Sequence, residues 1–191
     1  NKAYAVDLAG VSRFLYSSPL IVLVCVIYFL TNGQGWPDLG PRFWPFAILG
    51  GIIQILATAC LVSLFAIRNF TVGITIIKTE VIATAIIGFL ILGDTISART
   101  GFAIILGVIG VILLSDPPKA KGRVIDLILN KSAGLGLASA TLFSLCAVLY
   151  RGAVQSVGAD DVFVRSLFTL TMVILIPLAV MTLYLRLREP G

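Results

Sequence analysis

The sequence predicts an all-α fold, a polytopic transmembrane helix bundle with about six spans. Of its 191 residues, 59% are hydrophobic and 12% are charged, whereas a soluble domain carries about 25% charged residues. Apolar runs of helix length recur along the whole chain, separated by short polar segments. About 20 apolar residues in a helix cross the hydrocarbon core of a bilayer. These observations exclude a soluble domain with a single membrane anchor.

The predicted spans follow the apolar runs in order. They are residues 14–30, 43–67, 71–93, 101–115, 133–150 and 162–185. Pro19 lies in the first turns of its span, where proline is tolerated, and Pro177 predicts a kink in the last span. The very short turn at 68–69 makes the second and third spans antiparallel neighbours. Gly107 and Gly110 predict a close approach of the fourth span to another helix.

Charge and composition narrow the function classes. The net charge is +5 and the basic residues are scattered between spans, which favours contact with an anionic membrane face over nucleic acid. The chain has no histidine, and its three cysteines lie inside apolar runs without metal or disulfide spacing. We therefore predict no metal and no cofactor. The same absence of histidine, with no acidic cluster at a membrane face, disfavours a lipid-modifying membrane enzyme.

A short pattern near the beginning of the chain recurs near its end. Arg-x-Leu-aromatic-Ser/Thr occupies residues 13–17 and 165–169, and an apolar run follows each copy. Between the copies, residues 116–132 carry two prolines and four basic residues, as expected of a linker. We interpret 1–115 and 133–191 as parts of two repeats. On this hypothesis the chain is the middle of a longer protein, with one helix before residue 1 and three after residue 191.

Several motifs give this organisation a family resemblance. Leu-Gly-Asp-Thr-Ile-Ser at 92–97 stands where EamA-type drug/metabolite transporters have Leu-Gly-Glu-x-Leu-Ser/Thr, and a glycine-rich run follows at 107–114. Arg13 and Arg165 match the arginine that opens the second helix of each family repeat. The chain thus resembles helices two to seven of that family, in which two inverted five-helix repeats make ten helices.

The resemblance implies a secondary transporter of a small polar metabolite, working by alternating access in the bacterial cytoplasmic membrane. The implied partners are a small-molecule substrate, the lipid bilayer and protons or an exchanged solute, and a homodimer is left open. A non-transporting membrane bundle that assembles with other proteins is the alternative. The family often has a proline near residues 78–80, where this chain has Lys-Thr-Glu instead.

Lys78 and Glu80 are the first candidate site residues, because both lie near the middle of the predicted span 71–93. A charge at that depth costs about 2.5 to 3.5 kcal/mol. In a continuous helix the two side chains are about 200° apart and do not pair with each other. Either residue contacts a polar substrate, with Glu80 carrying the coupling proton, or each pairs with another helix and holds the bundle together.

Gln54, Tyr150 and Arg151 complete the candidate substrate-binding or proton-coupling set. Gln54 is an amide near the middle of the second span, where it either contacts a substrate or bonds another helix. Tyr150 and Arg151 lie at the end of the fifth span. Arg151 either attracts an anionic substrate or extends towards lipid phosphates.

Overall fold

The computed structural model describes residues 2–32, 35–66, 77–93, 97–114 and 131–188. Within these residues the structure is mostly helical, with one two-stranded ribbon and short turns between the helices, which confirms the all-α prediction. The helices are α1 (Lys2–Asn32), α2 (Phe43–Phe65), α3 (Glu80–Leu92), α4 (Ala98–Leu114), α5 (Lys131–Gln155) and α6 (Val162–Arg188). The strands are β1 (Asp38–Leu39) and β2 (Val157–Gly158), which the sequence did not predict.

Three helices are long and apolar enough to cross a membrane. They cover Phe43–Phe65, Lys131–Gln155 and Val162–Arg186, and the apolar helical stretches Leu15–Thr31 and Glu80–Leu92 are shorter. Large hydrophobic side chains lie exposed on several helices, among them Leu20 at 68% and Leu90 at 71%. A surface of this kind is typical of contact with lipid rather than water. The three helices and the exposed hydrophobic surface indicate a membrane protein.

The chain divides into two compact units. Unit 1 comprises Asn1–Ile55 and Leu149–Gly191, and unit 2 comprises Leu56–Val148. In unit 1, α1 contacts α6, and the buried core contains Phe43, Ala47 and Phe168. Antiparallel pairing of β1 with β2 joins the connection before α2 to the connection after α5.

Beside this ribbon, Gly40 allows the connection before α2 to lie close to the connection after α5. The Gly40 N–H donates to the Ser156 carbonyl at 2.8 Å, and a Cβ at Gly40 would lie 2.9 Å from the same oxygen. A larger residue at position 40 would therefore force these two connections apart.

In unit 2, α3 contacts α4, and serines of α5 bond the backbone of other helices. The Ser139 hydroxyl donates to the Ala57 carbonyl of α2 at 3.3 Å, and the Ser144 hydroxyl donates to the Glu80 carbonyl of α3 at 2.8 Å. Gly93 ends α3 in the left-handed conformation, with φ of 68°, which glycine adopts at little cost.

The predicted third span differs from the structure. Lys78 and Thr79 form a turn, and α3 begins only at Glu80. Residues 71–76 lie outside the described residues. A carboxylate is favourable in the first turn of a helix, because the amide groups there carry a partial positive charge, and this favours a helix start at Glu80. The linker prediction falls on 116–130, also outside the described residues, whereas Lys131 and Ser132 begin α5.

Candidate functional site

Two of the predicted site residues meet in unit 1. The Tyr150 hydroxyl of α5 donates to the Gln54 side-chain oxygen of α2 at 2.5 Å. Both side chains are half-buried. The sequence predicts these residues separately, and the structure joins them in one contact between two helices of membrane-spanning length.

The absence of a side chain at Gly50 leaves space for the Tyr150 ring. Gly50 lies one helical turn before Gln54, so both residues share a face of α2. A Cβ at Gly50 would lie 2.5 Å from Tyr150 Cε1 and 2.7 Å from Cδ1, closer than two carbon atoms can approach. The ring therefore lies directly against the α2 backbone. Gly50 is not among the site residues predicted from the sequence, although a Gly-Gly pair one turn before a mid-span amide is a signal for close helix contact.

The neighbouring Gly51 accommodates a third helix. A Cβ there would lie 3.1 Å from Ile176 Cγ2 and 3.3 Å from Pro177 Cγ of α6. The Gly-Gly pair thus brings Tyr150 and α6 against adjacent faces of α2, and these contacts fix where the Gln54 amide lies.

Arg151 is placed differently from Tyr150. It is the next residue of α5, but it is exposed whereas Tyr150 is half-buried. Successive helical residues point about 100° apart, so the guanidinium and the phenol face different surroundings. The exposed position suits contact with lipid phosphate or with a solute approaching from outside the bundle.

Lys78 and Glu80 belong to unit 2. Lys78 is exposed in the turn before α3, and Glu80 is half-buried in the first turn of that helix. Because Lys78 is not helical, the angular separation of 200° expected for a continuous helix does not describe this segment. The Glu80 carbonyl accepts hydrogen bonds from the hydroxyls of Ser144 and Thr84, each at 2.8 Å. Serine and threonine thus hold the backbone at Glu80.

An open groove beside the ribbon is a second polar feature of unit 1. Its volume is about 520 Å³, and its lining includes Asp38, Arg42, Gln155 and Ser156. The volume falls within the range of small-molecule sites, but such sites are mostly apolar and enclose their ligand. The charged residues of this groove are exposed. We therefore place the candidate site at Gln54 and Tyr150.

The chemistry available at Gln54 and Tyr150 is hydrogen bonding between neutral groups. The amide provides two donor hydrogens and an acceptor oxygen, and the phenol provides a donor and an acceptor. The described residues contain no group of three or more Cys, Asp or Glu side chains placed to hold a metal ion. The arrangement can bind and orient a polar solute.

The chain matches no protein-family model, no curated protein and no solved structure. The EamA-type resemblance therefore stays a prediction, and function is argued below from the contacts within each unit.

Proposed function

We propose that this chain is part of an EamA-type secondary transporter that moves a small polar metabolite by alternating access across the bacterial cytoplasmic membrane. The observation that supports the proposal is the Tyr150–Gln54 hydrogen bond between α2 and α5. Polar side chains within membrane-spanning helices are costly, and they commonly mark a solute pathway. About six spans in an inverted-repeat arrangement belong to the same proposal.

The energetics of this pair suit reversible binding. A solute that donates to the Gln54 oxygen, or accepts from the Tyr150 hydroxyl, replaces one hydrogen bond with another of similar strength. The net contribution of such a bond is about 1 kcal/mol, so the exchange costs little in either direction. A transporter needs this property, because it must release its solute as well as bind it.

Glu80 is our proposed site of proton coupling. It is half-buried at the start of α3, and its backbone is held by the Ser144 hydroxyl. Ionisable side chains within membrane helices are rare and commonly mark ion or proton pathways. Lys78 is exposed nearby in sequence, and we assign it to attraction of the solute rather than to proton transfer.

A non-transporting membrane bundle is the second candidate. The Ser139 and Ser144 hydroxyls bond backbone carbonyls of neighbouring helices, which is the kind of contact that holds helices together in lipid. Under this alternative, the pair of Gln54 and Tyr150 also serves assembly alone. A lipid-modifying enzyme is the third alternative, and no contact among the described residues favours it.

A flux assay separates these candidates. The full-length protein is reconstituted in liposomes of phosphatidylcholine and phosphatidylglycerol. A pH-sensitive dye inside follows proton movement, and radiolabelled solutes follow uptake. Amino acids, organic acids, amines and nucleosides are then added outside one at a time. We expect solute-dependent uptake for at least one of them, reduced roughly tenfold by Tyr150→Phe and by Gln54→Leu, since each removes one solute hydrogen bond.

Thr182→Val is the matched control, because Thr182 is exposed and its hydrogen bond among the described residues lies within its own helix, to the Leu178 carbonyl at 2.7 Å. Its flux should equal that of the wild type. Uptake that is absent for every solute would support the non-transporting bundle. Proton movement that persists unchanged in Glu80→Gln would end the coupling role of Glu80 while leaving the transport proposal intact.

A further inference from the structure

The repeated pattern at 165–169 contains an unusual pair of atoms. Among the residues that the structure describes, the buried side-chain polar atoms without a hydrogen-bond partner are Arg165 Nε and Thr169 Oγ1. They belong to the first and last residues of the Arg-x-Leu-aromatic-Ser/Thr pattern. Residues four apart in a helix are neighbours on one face, so Arg165 and Thr169 lie one turn apart on the same face of α6.

Thr169 differs from the other threonines of its helix. A threonine inside a helix can bond the carbonyl four residues before it. Thr171 does so to Leu167 at 2.9 Å, and Thr182 does so to Leu178 at 2.7 Å. Thr169 is only 2% exposed, yet its hydroxyl lacks a partner. Leaving a buried hydroxyl unpartnered is unfavourable, so a contact that satisfies it is favoured.

The guanidinium of Arg165 is only partly satisfied as well. Its Nη2 donates to the Asp160 carbonyl at 3.4 Å, while Nε has no partner. Arg165 is half-buried, in contrast to the fully buried Thr169. Arg165, at the beginning of α6, is thus the less buried end of the pair.

The two groups together select a class of ligand. The Arg165 Nε–H can only donate, and the Thr169 hydroxyl can donate to the same acceptor. Hydrogen bonds from arginine to an anionic oxygen are about twice as strong as those between neutral groups. We propose that Arg165 and Thr169 form a binding site for a carboxylate group.

The surrounding charges favour a carboxylate over a phosphate dianion. Asp160 and Asp161 precede α6 and repel added negative charge. The Asp161 carboxylate accepts from the Phe163 N–H at 2.8 Å and from the Tyr28 hydroxyl at 3.4 Å, so its charge is partly compensated. A ligand with one negative charge meets less repulsion here than a ligand with two.

This site is distinct from the proposed solute site within the same unit. Ile176 lies beside Gly51 of α2, one turn from the level of Gln54. Seven residues separate Thr169 from Ile176, which corresponds to about 10 Å along the helix axis. The carboxylate site is tested by equilibrium binding, so its failure would leave the transport proposal untouched.

Nuclear magnetic resonance of the arginine Nε–H groups tests the site directly. The ¹⁵N-labelled protein is placed in phosphatidylcholine nanodiscs, and the Arg165 signal is identified by its loss in Arg165→Lys. Sodium acetate, sodium phosphate and sodium chloride are then titrated at constant ionic strength. We expect a saturable shift of the Arg165 signal with acetate, a weaker response to phosphate and none to chloride.

Thr169→Val and its matched control Thr171→Val complete the test. Thr169→Val should weaken acetate binding roughly tenfold, since one hydrogen bond to the anion is lost, and Thr171→Val should leave it unchanged. Because Thr169→Val also removes an unpartnered hydroxyl, it should raise the unfolding temperature in chloride. The comparison of unfolding temperatures does not use Arg165→Lys, so it remains informative even if that variant does not fold.

Replacing part of the lipid with phosphatidylserine distinguishes binding of a lipid headgroup carboxylate from binding of a soluble carboxylate. A shift of the Arg165 signal without acetate would assign the carboxylate to the lipid headgroup. Equal responses to acetate and chloride, equal acetate affinity in both threonine variants, or tighter binding of phosphate than of acetate would each overturn the proposal.

Discussion

The two units use polar side chains in different ways. In unit 1, two side chains bond each other, from the Tyr150 hydroxyl to the Gln54 amide oxygen. In unit 2, the hydroxyls of Ser139 and Ser144 bond backbone carbonyls of other helices. All four residues lie on α2 or α5, so the helices themselves do not explain the difference.

A ligand can replace a hydrogen bond between two side chains, but it cannot replace a bond from a side chain to the backbone of another helix. A side chain can rotate away from its partner and accept a solute in exchange. A backbone carbonyl stays where its helix places it, so a serine bonded to it holds two helices at a fixed separation. We therefore expect substitutions in unit 1 to change solute binding most, and substitutions of the unit 2 serines to change stability alone.

Gly50→Ala should have the largest effect on the unit 1 contact. The new Cβ would lie 2.5 Å from Tyr150 Cε1, so the ring must move and its bond to Gln54 must break. Overfilling a well-packed interior costs about 1 to 3 kcal/mol, and we expect that loss in the free energy of unfolding measured by denaturant titration in micelles. Solute uptake should fall with it.

Gly134→Ala is the control for this substitution. Apart from its own helical turn, no atom of the described residues lies within 4 Å of a Cβ at Gly134, which is also a helical residue of α5. Alanine favours a helix over glycine by up to about 1 kcal/mol, so this variant should be as stable as the wild type or more stable. Equal losses at positions 50 and 134 would show that the Tyr150 ring is not what Gly50 accommodates.

A double-mutant cycle measures the bond between Tyr150 and Gln54 itself. Tyr150→Phe and Gln54→Leu are made singly and together, and the free energy of unfolding is compared among the four proteins. Residues in direct contact couple by about 0.5 to 3 kcal/mol, and we expect a value near the middle of that range. Additive effects would mean that the two groups do not depend on each other, and the contrast between the units would then disappear.

Much of the fold follows from the sequence, because long apolar runs with few charges can only be helices in lipid. The helix starting at Phe43 and the end of α3 at Gly93 agree with the predicted spans. The turn at 78–79 was not predicted, since the surrounding residues are apolar and favour a continuous helix. The ribbon at Asp38–Leu39 was missed because two-residue strands depend on a distant partner.

The candidate site was predicted only in part, for a related reason. Gln54 and Tyr150 stand out as polar residues in or beside apolar runs, so composition alone identifies them. Their contact joins residues 96 positions apart, and no local pattern specifies such a pairing. The unpartnered hydroxyl of Thr169 was likewise hidden, because the sequence does not reveal which threonines bond their own helix.

Ser144→Ala should have the smallest effect and should affect stability only. The Ser144 hydroxyl lies 2.8 Å from the Glu80 carbonyl and 2.8 Å from the Ala140 carbonyl of its own helix. Hydrogen bonds between helices in membranes contribute about 0.6 kcal/mol on average, and we expect that loss in the free energy of unfolding, with solute uptake unchanged. Thr141→Val is the control, since the exposed Thr141 bonds only the Leu137 carbonyl of its own helix. Uptake that falls in Ser144→Ala while stability holds would place a backbone-bonded serine in the solute pathway, and the division of roles between the units would fail.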